Sequence, residues 1–261
     1  MRKTGLLVAA AVALLPLAVP ARAQEATPAA VEPARAEAPA PPVRVRPELS
    51  PELRHVLDKL DEANASLVDV QARVTYIRWI RLLDDKRKSR GTLIFKKPDL
   101  LVLDLKRPRS EEVRTNGRTW WVVSHNDKMV QVYQAATEGE GGREAAFLAF
   151  GYGQTSEQLL EDYDVELLSV TPPEDDEDDP TVYRLKFTPV ERPDQPARYS
   201  AIEVAIGDKL WLPHELVLYE RSDEIAHTYE LSKLKLNKGV DDDVFEYEPP
   251  SKYSVEQMNE P

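Results

Sequence analysis

The chain has 261 residues, with 46 acidic side chains against 34 basic ones, no cysteine, and 42% hydrophobic but only 7% aromatic residues. That is enough for one sizeable core, and a formal charge of −12 argues against a general nucleic-acid binder and disfavours anionic membrane surfaces as well. The lack of cysteine excludes disulfides, thiolate metal sites, a cysteine nucleophile and a lipidated N-terminal cysteine.

Met1 to Ala23 opens with Arg2 and Lys3, continues through an apolar run from Leu6 to Val19 broken by Pro16, and ends in Ala21-Arg22-Ala23. This is the pattern of a secretory signal peptide cleaved near Ala23, since the run is shorter than the roughly 20 residues a membrane-crossing helix needs. Export to the periplasm is the expectation. Residues 24–48 are rich in alanine, proline and glutamate and predict a disordered linker. A folded domain is expected over 49–250, with a tail over 251–261.

Ser50 and Pro51 suit the N-cap and first turn of a helix, and Leu53, Val56, Leu57, Leu60 and Ala63 follow at helical spacing. After Asn64 the period shifts towards two through Val70, Ala72, Val74 and Tyr76, and a bulge near Tyr76 is expected because the alternation falters there. Asp84 to Lys88 reads as a charged turn. Strands are then predicted at Arg90–Lys96, Leu100–Lys106, Glu111–Thr115, Arg118–Ser124 and Lys128–Gln134, with Asn116-Gly117 and Asn126-Asp127 at tight turns. A second set falls at Asp164–Val170, Val182–Pro189, Tyr199–Ile206, Leu210–Arg221 and Ile225–Leu236. Short connections require mostly antiparallel pairing. The fold class is therefore α+β: a large curved antiparallel sheet, an incomplete barrel of about 10–11 strands, with a few short helices over its concave face.

Between Glu138 and Asp162 the alternation stops. Gly139, Gly141, Gly142, Gly151 and Gly153 bracket the apolar segment Ala145 to Phe150, and a helix is predicted from Ser156, as cap, to Tyr163. Two readings stay open: a hinged lid, or a plug that seals the sheet permanently. No catalytic constellation stands out. The four histidines His55, His125, His214 and His227 lack metal-ligand spacing, no phosphate loop or G-x-S-x-G elbow occurs, and the acidic runs 174–179 and 241–243 read as solvated turns. No enzyme, metal or cofactor is expected.

The stretch Gly91-Thr92-Leu93-Ile94-Phe95-Lys96-Lys97-Pro98-Asp99-Leu100-Leu101, with Arg107-Pro108 and Asn116-Gly117-Arg118-Thr119-Trp120-Trp121, resembles the family of LolA-like lipoprotein carriers. Asp241-Asp242-Asp243-Val244-Phe245 with Pro249-Pro250 is similar to that family's closing motif. The resemblance spans roughly Pro51 to Pro250. It implies a periplasmic, cofactor-free monomer that shields acyl chains of lipoproteins or other lipidated cargo, loaded by an inner-membrane transporter and unloaded to an outer-membrane acceptor. The family's arginine before the proline helps hold a lid closed; Lys97 stands in that place and cannot supply a planar, multi-donor clamp. Strand alternation and the lid idea place Leu101, Leu103, Trp121, Val123, Phe147 and Phe150 at a lipid cavity, with Lys97 at the lid. The alternative function is a lipid-sensing or protein-interaction module in an envelope-stress pathway.

Overall fold

The computed structural model of the chain describes residues 48–134, 150–173, 179–192, 197–222 and 224–258. Helix α1 spans Pro51–Ala65 and begins where the sequence dictates: the Ser50 hydroxyl accepts the Leu53 N–H at 3.1 Å, and Pro51 occupies a first-turn position where its missing N–H is harmless. Its apolar stripe, Leu53, Val56, Leu57 and Leu60, is buried and lies on the sheet. Helix α2, Ser156–Asp162, is capped by Thr155 and not by Ser156. The Thr155 hydroxyl accepts the Gln158 N–H while the Gln158 side chain accepts the Thr155 N–H, a reciprocal capping box.

The described strands, β1 (Asp69–Ile80), β2 (Asp85–Lys96), β3 (Leu100–Leu105), β4 (Glu111–Asn116), β5 (Thr119–Ser124), β6 (Met129–Gln134), β7 (Tyr163–Thr171), β8 (Val182–Pro189), β9 (Tyr199–Gly207), β10 (Pro213–Glu220), β11 (Ile225–Leu236) and β12 (Ser254–Gln257), form one sheet of 12 in the order β12-β6-β5-β4-β3-β2-β1-β11-β10-β9-β8-β7. Two antiparallel meanders, β1 (Asp69–Ile80) to β6 (Met129–Gln134) and β7 (Tyr163–Thr171) to β11 (Ile225–Leu236), are joined by pairing of β1 with β11. Edges β12 and β7 do not pair with each other, so the sheet curls without closing: the incomplete antiparallel barrel that the resemblance implies. The long sheet is laid out over most of its length by strands within one to three residues of those predicted.

Three local departures have physical causes. Asp85–Lys96 is one continuous strand, β2, so the charged run taken for a turn is strand, and the turn is the tighter Arg81–Leu83 segment with Asp84 in the left-handed region at φ 47°. Charge marks solvent exposure, not chain reversal. The bulge in β1 lies between Gln71 and Arg73, not near Tyr76, which remains inward and buried. Finally β12 (Ser254–Gln257) runs parallel to β6, a pairing no period-two pattern announces because all four residues are exposed.

The main core lies between the helices and the inner face of the sheet, with α1, α2, Leu93, Phe95, Leu101, Leu103, Leu105, Phe187, Ile202 and Tyr229 among its members. Two smaller clusters lie on the outer face. Val102 packs with Val240 and Phe245, and Trp121, Val123, Val130 and Val132 pack with Tyr247 and Tyr253. The C-terminal segment is thus a strap across the outside, held also by Arg114, which donates to the carbonyls of Val244 (2.8 Å) and Glu246 (3.2 Å).

Candidate functional site

Inward-facing residues on successive strands alternate with outward ones, so each strand contributes every second side chain to a common apolar trough. On β3 (Leu100–Leu105) these are Leu101, Leu103 and Leu105; their partners across β4 (Glu111–Asn116) are Thr115, Val113 and Glu111. One apolar pocket in the trough, lined by Val74, Leu93, Leu103, Leu216, Tyr229 and Leu231, has a free volume of about 10 Å³. That admits about one water, and an apolar lining leaves even that site dry. Among these lining residues the side chains leave little free space.

The cover over the trough is α1, residues 150–154 and α2. Phe150 is buried and meets Phe187 and Tyr163 edge-on, with ring centres 4.8 and 5.3 Å away. Burial pushes the Tyr163 hydroxyl up to about 12. Tyr152 is buried beside Phe95, and its hydroxyl donates to the Pro213 carbonyl, while burial drives its pKa above the usual phenol range. Between these two aromatics the chain must turn sharply. Gly151 has φ 77°, and a Cβ there would come within 2.6 Å of Pro213 Cγ.

This turn is fastened to α1 by one side chain. Asn64, 5% exposed, donates from Nδ2 to the carbonyls of Gly151 (2.7 Å) and Gln154 (3.3 Å), and its Oδ1 accepts the Gly153 N–H at 3.2 Å. Next to it Asp61 accepts the Ser156 N–H at 2.7 Å and the Ser156 hydroxyl at 2.5 Å. Lys97 takes part at one remove: its ammonium donates to the backbone carbonyl of Asn64, and its stem packs at the position of Gly153. The Asn64 amide thus meets the turn with both donors and an acceptor, and the lysine braces the helix end that carries it.

The predicted site residues divide accordingly. Lys97, Leu101, Leu103 and Phe150 come together around the trough and its cover, with Leu103 in the cavity wall. Trp121 and Val123 do not. They lie on the outer face beneath the strap, because β5 (Thr119–Ser124) pairs Val122 with Val113 and Trp120 with Thr115, which turns Trp120 and Val122 inward. With a period of two, a choice displaced by one residue selects the wrong face. Phe147 and the rest of Ala145 to Ala149 lie outside the described residues. Sequence reasoning missed Asn64 and Tyr152. A signal for Asn64 existed: it continues the buried stripe of α1 four residues beyond Leu60, and a polar residue in an apolar stripe requires partners.

A second buried polar group lies at one end of the trough. His227 bonds through Nδ1 to the Tyr76 hydroxyl and through Nε2 to Glu220, each at 2.8 Å, and Arg109 donates to the Tyr76 hydroxyl at 2.9 Å while pairing with Glu111. Its members satisfy one another, which fixes the register of β1, β10 (Pro213–Glu220) and β11 at that end. Among the described residues no group of three or more metal-ligating side chains converges.

No family model matches the chain, and no curated protein matches its sequence. Solved structures do resemble it in shape. An uncharacterized conserved protein from Thermus thermophilus is 10% identical, with a TM-score of 0.48 over 79% of this chain and 99% of that one. A LolA superfamily protein from Nitrosomonas europaea is 15% identical, with a TM-score of 0.38 over 74% and 97% of the two chains. The Pseudomonas aeruginosa MucA/MucB complex contains a chain 16% identical, with a TM-score of 0.40 over 74% of this chain but only 60% of that one.

Proposed function

We propose that this chain is a periplasmic, non-enzymatic carrier that takes acyl chains of lipoproteins or other lipidated cargo beneath its α1–Phe150–Tyr152 cover, and that the conformation described is the closed one. The observation that carries this reading is the pairing of a largely apolar inner sheet face with a cover whose 150–154 turn is held to α1 by polar contacts from one buried side chain, Asn64. Apolar packing alone has no register and gives way gradually; a discrete set of hydrogen bonds gives a cover two states. The energetic motive is large, since hiding a sixteen-carbon chain from water is worth roughly 12 kcal/mol at about 0.8 kcal/mol per methylene. Among the described residues no helix is long and apolar enough to cross a membrane. The reading expects the N-terminal 23 residues to be removed on export, a monomeric carrier, an inner-membrane transporter that loads it and an outer-membrane acceptor that unloads it.

The small free volume among Val74, Leu93, Leu103, Leu216, Tyr229 and Leu231 favours a second reading, a protein-interaction or lipid-sensing module in which the helices are a permanent plug. Native mass spectrometry of the chain recovered from the periplasm separates the two. Co-purifying acyl chains or lipoprotein support carriage. An empty chain that also fails to take up a fluorescent fatty acid when Asn64 is replaced by alanine refutes it and leaves the interaction module.

A further inference from the structure

The β1–β2 hairpin carries chemistry that the trough does not use. Its two strands pair from Asp69–Lys96 to Ile80–Asp85, but β3 accompanies β2 only from Lys96 back to Gly91. The segment from Asp85 to Arg90 therefore extends past its strand neighbour on that side, towards a tip formed by Arg81–Leu83. At this tip Leu82 is 81% exposed and Leu83 71% exposed, the two most exposed large hydrophobic side chains described. Adjacent apolar side chains held fully in water are unfavourable by the transfer free energy of each, and a folding requirement does not explain them, because neither packs on any core cluster.

The surroundings of the two leucines are basic. Arg78, Arg81, Lys86, Arg87, Lys88 and Arg90 fall within thirteen residues that contain only two acids, Asp84 and Asp85. Both acids are engaged inside the hairpin: Asp84 accepts the Trp79 indole N–H at 2.9 Å, and Asp85 pairs with Arg87 at 3.0 Å. The neighbouring connection, 221–224, adds Arg221, Asp223 and Glu224, and the Glu224 carbonyl accepts the Arg81 N–H. A local excess of three positive charges remains on a chain whose overall charge is −12. Trp79, half-buried, lies just behind the leucines, with the Lys86 ammonium 4.4 Å from its ring centre. Exposed aliphatic tip, indole at its base and cationic collar are the arrangement of a structure that dips into an anionic bilayer surface: leucines below the headgroups, tryptophan at their level, and lysines and arginines on the phosphates.

We infer that the Leu82-Leu83 hairpin tip is a membrane-docking element for anionic phospholipid surfaces. The inference is independent of the carrier reading, because a docked interaction module would use the same tip. It also reverses what net charge alone predicts: the acidic body is repelled by such a surface and only this corner is attracted, so contact is oriented, with the hairpin foremost.

The test is flotation of the full chain with vesicles of phosphatidylcholine containing phosphatidylglycerol, against vesicles of phosphatidylcholine alone. Wild-type protein is expected to float with the anionic vesicles at low salt, to be released as salt rises, and to remain behind with the zwitterionic ones. The double variants L82D/L83D and K86E/K88E are each expected to lower partitioning at least about tenfold, with melting temperatures unchanged because these side chains are exposed. The N-terminal apolar run is common to all the proteins and cannot produce a difference between them. Equal flotation of wild type and both variants overturns the inference. So does wild type that ignores anionic vesicles while its hairpin variants lose capture of a protein partner, which would assign the tip to a protein contact.

Discussion

Replacing Asn64 by alanine removes the fastening of the cover while leaving the apolar contacts of Phe150 and Tyr152 in place. Its three hydrogen bonds are not equal. Gly153 and Gln154 are exposed, so water takes over their N–H and carbonyl at little cost, whereas Gly151 is buried and its carbonyl is left without its donor. An orphaned buried carbonyl costs about 1–3 kcal/mol, and with the weakened exposed bonds the loss comes to about 2–3 kcal/mol. For a domain of this size each kcal/mol lowers the melting temperature by about 2–4 °C, so a decrease of about 5–10 °C is expected. The informative measurement is local. If the cover opens as a unit, a loss of about 2 kcal/mol raises its open population roughly 30-fold, which amide hydrogen exchange reads as faster exchange over residues 150–156 than over β1 and β11. Unchanged exchange in that stretch, or acceleration spread equally over the sheet, would show that the asparagine is ordinary packing and not a latch.

Gly91 to alanine tests the sheet beneath the cavity: the new Cβ would lie 2.0 Å from the Asp104 carbonyl oxygen of β3, backbone that cannot swing aside, so a loss of upwards of ~3 kcal/mol is expected in urea unfolding, and an unshifted midpoint would contradict the close approach. Trp121 to alanine is expected to loosen the outer strap that Tyr247 anchors, seen as faster proteolysis near Lys252 with apolar-ligand binding intact, whereas Trp120 to aspartate, on the inner face, is expected to reduce that binding; the opposite pattern would return Trp121 to the trough. His214 carries a pKa lowered by burial and by Arg184, against the opposing pull of Glu215. A depressed histidine stabilises fully above its unfolded value of about 6.5 and loses that contribution as pH falls through its folded value. Urea midpoints of wild type should therefore drop below neutrality more steeply than those of His214→Asn, and parallel curves would remove His214 from the acid response.

What the sequence made legible was governed by period and by local capping. Ser50-Pro51 announced α1, and alternation marked β8 (Val182–Pro189) and β11 to the residue, because both signals arise within a few residues of chain. The pairing of β1 with β11, which turns two meanders into one sheet, is non-local and has no such signature. Parity was the weak point in the site. Trp120-Trp121-Val122-Val123 is apolar on both faces, with Trp121 and Val123 buried beneath the strap and Trp120 and Val122 half-buried on the other side, and a strand apolar on both faces does not say which face is which. Net charge is likewise a sum over the chain, and it conceals the basic corner at the hairpin tip.

The small free volume beside Leu103 and Tyr229 and the carriage of a long acyl chain are reconciled by the energetics of exchange. On the proposed reading a guest must replace side chains that already fill the trough, so its binding is the difference between two burials. Displacing Phe150 and Tyr152 forfeits about 1.5–3 kcal/mol each, and releasing the Asn64 fastening about 2–3 kcal/mol more. Opening therefore costs about 5–9 kcal/mol against roughly 12 kcal/mol gained by hiding a sixteen-carbon chain. The net is favourable by a few kcal/mol, which holds cargo yet permits its transfer to an acceptor. A rigid preformed tunnel would keep the whole gain and release too slowly to serve as a carrier. A cover filled with its own aromatics in the empty state tunes affinity downward, and loading should accordingly strengthen, not weaken, when the fastening at Asn64 is removed.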